Sequence, residues 1–192
     1  MASLDVERLE LPEIAVVTPK RFGDSRGYFE ETYNRQVFRT AGIAADFVQD
    51  NQSLSQKRGT IRGLHFQAPP HAQAKLVRVL AGSIFDVAVD IRRDSERYGR
   101  WCGAVLSAEN GKQLFVPRGF AHAFCTLEPN TIVAYKVDAL YSGPHDGGLR
   151  FDDPQIGIDW PVAANDVMVS EKDRNLPFLK AFQSPFTVSN SQ

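Results

Sequence analysis

A chain of 192 residues, 43% hydrophobic and 23% charged, has the size and balance of one globular domain, which excludes a fibrous repeat and a disordered chain. Its 22 Lys and Arg against 23 Asp and Glu leave a net charge of −1, which argues against a coat for nucleic acid or for an anionic membrane. The two cysteines, Cys102 and Cys125, are too few for a disulfide framework and read as reduced core thiols of a cytosolic protein.

Along the chain, residues 1–11 carry Asp5, Glu7 and Glu10 and no apolar signal core, and no later stretch approaches the ~20 apolar residues of a membrane span. A soluble, cytoplasmic protein is expected. Strand signals then dominate, at residues 14–19, 47–53, 59–66, 75–81, 84–91, 100–106, 113–116, 123–127 and 131–137. Turn-like segments separate the later runs: Glu109-Asn110-Gly111, Pro117-Arg118-Gly119 and Glu128-Pro129-Asn130. One short helix is predicted over 34–41, with Asn34 as its cap and Gly42 as its stop.

Gly82-Ser83 suits a two-residue hairpin turn joining 75–81 to 84–91. On that reading Lys75, Val77, Val79, Asp86, Ala88 and Asp90 share one face, a mixed wall suited to a polar cavity. Leu76, Arg78, Leu80, Phe85, Val87, Val89 and Ile91 share the other, which is the better apolar surface. The tail from residue 147 onward is rich in Pro, Asp and Asn and is expected to wrap the body as loops and short helices. Many short strands without a βαβ rhythm predict a single all-β domain, a sandwich or barrel, spanning residues 1–192.

Two segments carry spaced chemistry. Gly111 to His122 reads G-x5-P-x-G-x2-H through Pro117 and Gly119, and Gly59 to Gln67 reads the opening of G-x5-H-x-H with His65 in place and Gln67 where the second His belongs. These resemble the two signatures of the cupin jelly-roll barrels. The first signature continues to a Glu seven residues before a Gly, and here that position is Lys75, before Gly82. An ammonium replaces the carboxylate a divalent cation requires, and Gln is a poor ligand beside His, so no metal is expected. The same residues suit an organic site: His65 can take a proton, and Lys75 can stabilise an oxyanion beside the carbon that loses it.

A closer resemblance covers about residues 9–179. Asp24-Ser25-Arg26-Gly27-Tyr28-Phe29-Glu30-Glu31, Gln49-Asp50-Asn51, Arg62-Gly63-Leu64-His65-Phe66-Gln67, Pro117 to His122, Tyr135-Lys136, Tyr141, Asp152-Asp153-Pro154, Asp159-Trp160-Pro161 and Ser170-Glu171-Lys172-Asp173 follow in order. Together they resemble the dTDP-4-dehydrorhamnose 3,5-epimerase family. The resemblance implies epimerisation at C3 and C5 of a dTDP-4-dehydro-6-deoxy sugar through an enolate, with no cofactor and no metal. It implies His65 as base, Asp173 as the carboxylate orienting it, Lys75 at the enolate oxygen and Tyr135 as proton donor on the opposite face. It implies that Arg26, Glu31, Gln49, Asn51, Arg62, His122 and Lys172 contact nucleotide, diphosphate and sugar. Tyr141 would stack on the base, with Phe29 as a second candidate. It implies a homodimer whose N-terminal arm, about residues 1–30, crosses to the partner, so that Arg26 and Glu31 serve the neighbouring site. Asp146 stands where the family usually has Glu, a carboxylate one methylene shorter, which touches one nucleotide contact.

Each residue also has a plainer reading. His65 can be a satisfied core histidine, Lys75 one half of an ion pair with Asp86, Tyr135 a barrel aromatic, and Asp173 a cap for the turn before Pro177. His71 and His145 read as surface-loop residues, and Trp101 and Trp160 as packing. Three functions stay open at this level: the 3,5-epimerase, an epimerase acting at C3 alone or on another nucleotide sugar, and a sugar-nucleotide-binding cupin without catalysis. An intact base, cation and phenol in register argue against the third.

Overall fold

The computed structural model describes residues 4–191. The chain opens with strands β1 (Leu4–Arg8), β2 (Ala15–Pro19), β3 (Arg21–Asp24) and β4 (Gly27–Glu30), then helix α1 (Arg35–Thr40). Strands β5 (Gln49–Ser55), β6 (Ile61–Gln67), β7 (Lys75–Ala81) and β8 (Ser83–Asp90) follow. The set closes with β9 (Trp101–Ser107), β10 (Gln113–Val116), β11 (Phe120–Thr126), β12 (Thr131–Val137), β13 (Asp146–Gly148) and helix α2 (Glu171–Arg174). The order β1-β2-β10-β7-β12-β5 makes one antiparallel sheet, β13-β6-β11-β8-β9 the opposing one, and β3 with β4 a separate ribbon. This is the expected all-β jelly-roll architecture, with few and short helices.

Period-two alternation lets one strand feed two cores. Val77 and Val79 of β7, Ile84 and Ala88 of β8, and Leu114 and Phe124 fill the space between the sheets. The other face of β8, with Val87 and Val89, is buried beneath Leu149, Ile156 and Phe186 of the C-terminal wrap. The outer face of the six-stranded sheet, with Val17, Leu76 and Phe115, packs on Phe38 and Ile43 around α1. At about 1.5–3 kcal/mol for each fully buried large apolar side chain, these three layers supply the main force closing the sandwich. Both cysteines are buried and free, in keeping with core thiols.

The predicted hairpin at Gly82-Ser83 is corrected. β7 and β8 do not pair; they lie in opposite sheets, and Gly82 carries the chain across from one to the other. Its φ is +78°, and a Cβ there would sit 2.4 Å from Thr131 Oγ1, so the crossing requires glycine. The predicted partition of faces survives, because side-chain alternation belongs to each strand and not to its partner. The second face is no single apolar surface, however: Leu76 joins one outer core, Phe85, Val87, Val89 and Ile91 another, and Leu80 is exposed.

Helix α1 forms where predicted, with the Asn34 side chain accepting the N–H groups of Gln36 and Val37. β11 begins at Phe120, three residues before the predicted 123, directly after the turn at Gly119. β1, β3, β4 and β13 escaped the sequence reading. β13 is Asp-Gly-Gly, which has no alternation to read, and only its pairing with β6 makes it a strand. Among the described residues no helix is long and apolar enough to cross a membrane.

Candidate active site

The site is built on β6, where Gly63 allows a close approach to β11. Gly63 has φ +126°, and a Cβ there would lie 2.4 Å from Ala123 Cβ and 2.6 Å from the His122 carbonyl oxygen. The pairing of β6 with β11 shifts register at this point, and it sets His65 directly opposite His122, both facing between the sheets.

His65 Nε2 lies 2.7 Å from Asp173 Oδ1. Asp173 comes from the single turn of α2, whose start is capped by the Ser170 hydroxyl accepting the Asp173 N–H at 3.0 Å. The Gly63 N–H donates to the second carboxylate oxygen of Asp173 at 3.4 Å. Burial pushes the Asp173 carboxyl up, but the hydrogen bonds and charge of His65, with Gly63 and Ser170, outweigh it and hold it below the usual carboxylate range. Asp173 is therefore an acceptor, His65 Nε2 carries the proton, and Nδ1 is left as the basic nitrogen. The alternative reading of Asp173 as a cap for the Pro177 turn does not describe this geometry.

Lys75 starts β7 on the opposite sheet, is buried, and donates to the His65 carbonyl oxygen at 3.3 Å. Burial lowers its ammonium to about 8, opposed by the charges of Asp146 and Asp86. Tyr135 lies on β12, opposite Val77 and Asn51 of the neighbouring strands. Burial raises its phenol, with Arg62 opposing and Asp146 adding to the rise, so it stays protonated at neutral pH.

His65, Lys75, His122, Tyr135, Arg62 and Asp173 line one cavity of about 570 Å³. An adjoining cavity of about 280 Å³ shares His65, Lys75 and Tyr135 and adds Gln49, Asn51, Tyr141 and Asp146. Lys172 borders both, and its ammonium is ion-paired with Asp146. Eleven of the thirteen sequence-predicted site residues thus converge here.

Arg26 and Glu31 do not. Arg26 sits at the β3–β4 turn with its side chain 87% exposed and paired with Asp24. Glu31 borders a small cleft against Lys20, Phe22 and Phe38. The ribbon carrying them displays Phe22, Tyr28 and Phe29 to solvent.

Sequence reasoning also missed a partner. Asp86 lies on the inner face shared with Lys75, yet the residue it pairs with is His122, whose Nε2 is 2.6 Å from Asp86 Oδ1. Burial pushes the Asp86 carboxyl up and the His122 imidazole down, so the pair is drawn toward its neutral form. The signal was present as parity with Lys75, but parity names a wall and not a partner. Among the described residues no cluster of three or more His, Cys, Asp and Glu side chains is arranged to hold a metal ion. A larger cleft of about 750 Å³ in the C-terminal wrap is bordered by Arg150, Trp160 and Arg174 and touches none of the predicted residues.

Comparison with known proteins places this arrangement among similar ones. The sequence pattern of dTDP-4-dehydrorhamnose 3,5-epimerase matches residues 8–181. The dTDP-4-dehydrorhamnose 3,5-epimerase of Sinorhizobium fredii is 52% identical over 173 residues, covering 90% of this chain and 88% of that one. A crystal structure of the Bacillus anthracis enzyme of that name, with TDP and PPi bound, superposes with a TM-score of 0.89 at 50% identity, over 92% of this chain and 100% of that one. The Legionella pneumophila dTDP-6-deoxy-D-glucose-3,5-epimerase, in complex with dTDP-4-keto-L-rhamnose, gives 0.90 at 41% identity, over 94% and 95%.

Proposed function

The chain belongs to the dTDP-4-dehydrorhamnose 3,5-epimerase family, and on that premise we propose that it inverts C3 and C5 of dTDP-4-dehydro-6-deoxy-D-glucose to give dTDP-4-dehydro-6-deoxy-L-mannose. Both carbons flank the C4 ketone, so each proton is acidified by the same carbonyl and leaves an enolate. One observation carries the reading: an Asp173-oriented His65 faces the protonated phenol of Tyr135 across a cavity that also holds the Lys75 ammonium. His65 Nδ1 removes the proton, and the imidazolium formed is stabilised by Asp173. Lys75 supports the charge that develops on the C4 oxygen. Tyr135 returns a proton from the opposite side, and inversion follows.

The nucleotide end runs from Arg62 and His122 in the first cavity into the adjoining one. Arg62 and Lys172 supply charge for the diphosphate, His122, Gln49, Asn51 and Asp146 supply polar contacts, and Tyr141 stacks on the base. When a diphosphate arrives, Lys172 exchanges its bond to Asp146 for the more highly charged ligand. Arg26 and Glu31 complete the site of a second copy, as the exposed aromatic ribbon that carries them suggests.

Incubation with dTDP-4-dehydro-6-deoxy-D-glucose in D2O, followed by NMR, tests the reading. Deuterium is expected at both C3 and C5 of inverted product. Incorporation at C3 alone identifies a single-centre epimerase, and tight binding without incorporation removes catalysis altogether.

A further inference from the structure

The segment between β12 and β13 leaves the β12 ladder at Asp138, whose N–H donates to the Ala74 carbonyl at 3.3 Å. Residues Asp146–Gly148 pair with β6, whereas residues 139–142, which carry Tyr141 to the cavity mouth, pair with no strand. Three glutamines hold residues 139–142 instead, each from a different part of the fold. Gln73 Nε2, just before β7, donates to the Ala139 carbonyl at 2.7 Å. Gln49 Oε1, on β5, accepts the Tyr141 N–H at 3.1 Å. Gln67 Oε1, on β6, accepts the N–H of the next residue, Ser142, at 2.8 Å.

Gln67 is the most constrained of the three. It is 3% exposed, and its Nε2 donates to Asp146 Oδ1 at 3.1 Å, so one side chain ties the residue after Tyr141 to the start of β13. A carboxamide does this without charge and on a stem long enough to reach both: it accepts from an amide N–H and donates to a carboxylate at once. A glutamate would set a second negative charge against Asp146, and a histidine would place a rigid ring where a flexible stem now reaches two partners. Its Cα also pairs in register with that of Asp146, which fixes the distance the stem must span.

We infer that Gln67, at the position where the cupin signature has its second histidine, is a positioning residue for nucleotide binding, acting through the Tyr141–Asp146 segment and not on the reacting carbons. The inference deepens the proposed function and rests on its assignment of Tyr141 to the base. Losing the Ser142 contact frees the backbone beside Tyr141, and the ordering of that backbone is then paid on binding. The effect falls on affinity for the nucleotide, with chemistry at His65 largely spared.

The test measures dTDP binding by calorimetry and deuterium incorporation at saturating substrate for Gln67→Met, Tyr141→Ala and the double variant. Gln67→Met, similar in length and without hydrogen bonds, is expected to raise the dTDP Kd about tenfold, the scale of one or two lost net hydrogen bonds. Its kcat for incorporation is expected within about threefold of the parent, because the base, cation and phenol are untouched. In the Tyr141→Ala background the Gln67 change is expected to add little, since both act through one segment. An unchanged dTDP Kd in Gln67→Met beside a weakened Tyr141→Ala overturns the inference alone. An unchanged Kd in Tyr141→Ala overturns the stacking assignment and the inference with it. Additive losses, or a fall in kcat with Kd unchanged, also overturn the inference. Should Gln67→Met fail to fold, Gln67→Glu, which keeps the acceptor for Ser142 but opposes Asp146, is expected to weaken dTDP by at least as much.

Discussion

His65 and Tyr135 stand on opposite walls of one cavity, His65 on β6 of the five-stranded sheet and Tyr135 on β12 of the six-stranded sheet. In the proposed reaction a flat enolate between them would meet a base on one side and an acid on the other. Lys75, on the strand next to that of Tyr135 and opposite Val137, reaches across to the His65 carbonyl.

That opposition separates two measurable steps. Replacing Tyr135 by Phe keeps the ring and removes the proton donor. Deuterium incorporation is expected to continue at a near-parent rate, while formation of inverted product falls about 10²-fold or more. Equal loss in both measurements would contradict the donor role.

In the proposed mechanism Asp173 acts through His65, which it contacts at 2.7 Å. Asp173→Asn keeps the shape but offers the ring an amide, which favours the wrong tautomer and gives no support to the imidazolium. A fall in kcat of about 10²–10⁴-fold is expected, with KM within threefold. Steady-state kinetics beside a thermal unfolding scan separate this from a loss of folding.

The alkaline limb of the pH profile reports Lys75. Burial lowers its ammonium to about 8, and the cation is the form proposed to stabilise the enolate oxygen. The group is charged below that value and neutral above it, so kcat/KM is expected to fall as pH rises through about 8. Lys75→Arg stays charged throughout and is expected to remove this limb while lowering the plateau, because the guanidinium is larger. A limb unchanged in Lys75→Arg would assign it to another group.

Gly63 underwrites the geometry. Any side chain at this position meets Ala123 and the His122 backbone in a conformation that L-residues rarely adopt. Gly63→Ala is expected to destabilise by about 3 kcal/mol, read as a lower urea midpoint with unchanged m. Activity is expected to fall further than stability alone explains, since β6 withdraws from β11 and takes His65 with it.

Arg26 is remote from its own chain's cavity, which makes its role testable by mixing. Arg26→Ala and His65→Ala chains are each expected to be nearly inactive. Refolded together, they are expected to recover activity that neither parent has, because a hybrid dimer contains one site with both residues intact. No recovery would confine Arg26 to its own subunit.

The candidate site residues were legible through resemblance, because the cupin-like spacing and the family's motif strings stand in the sequence itself. His65, Lys75, His122 and the string ending in Asp173 could be named before any fold was known, and the inner parity of Lys75, Asp86 and Ala88 followed from strand alternation alone. The all-β architecture was legible for the same reason, since alternation is local. Pairing is not local. Nothing within residues 75–91 states that β7 and β8 part into different sheets, because the alternative hairpin satisfies the same alternation. Likewise Asp86 could be placed on the wall but not joined to His122, and Gln67 could be seen to lack a metal ligand's chemistry but not to hold Ser142 and Asp146. Candidates for the chemistry could thus be named from the sequence alone. Which partner each one meets was decided by tertiary structure, because hydrogen bonds and ion pairs depend on distances that only the packed sheets set.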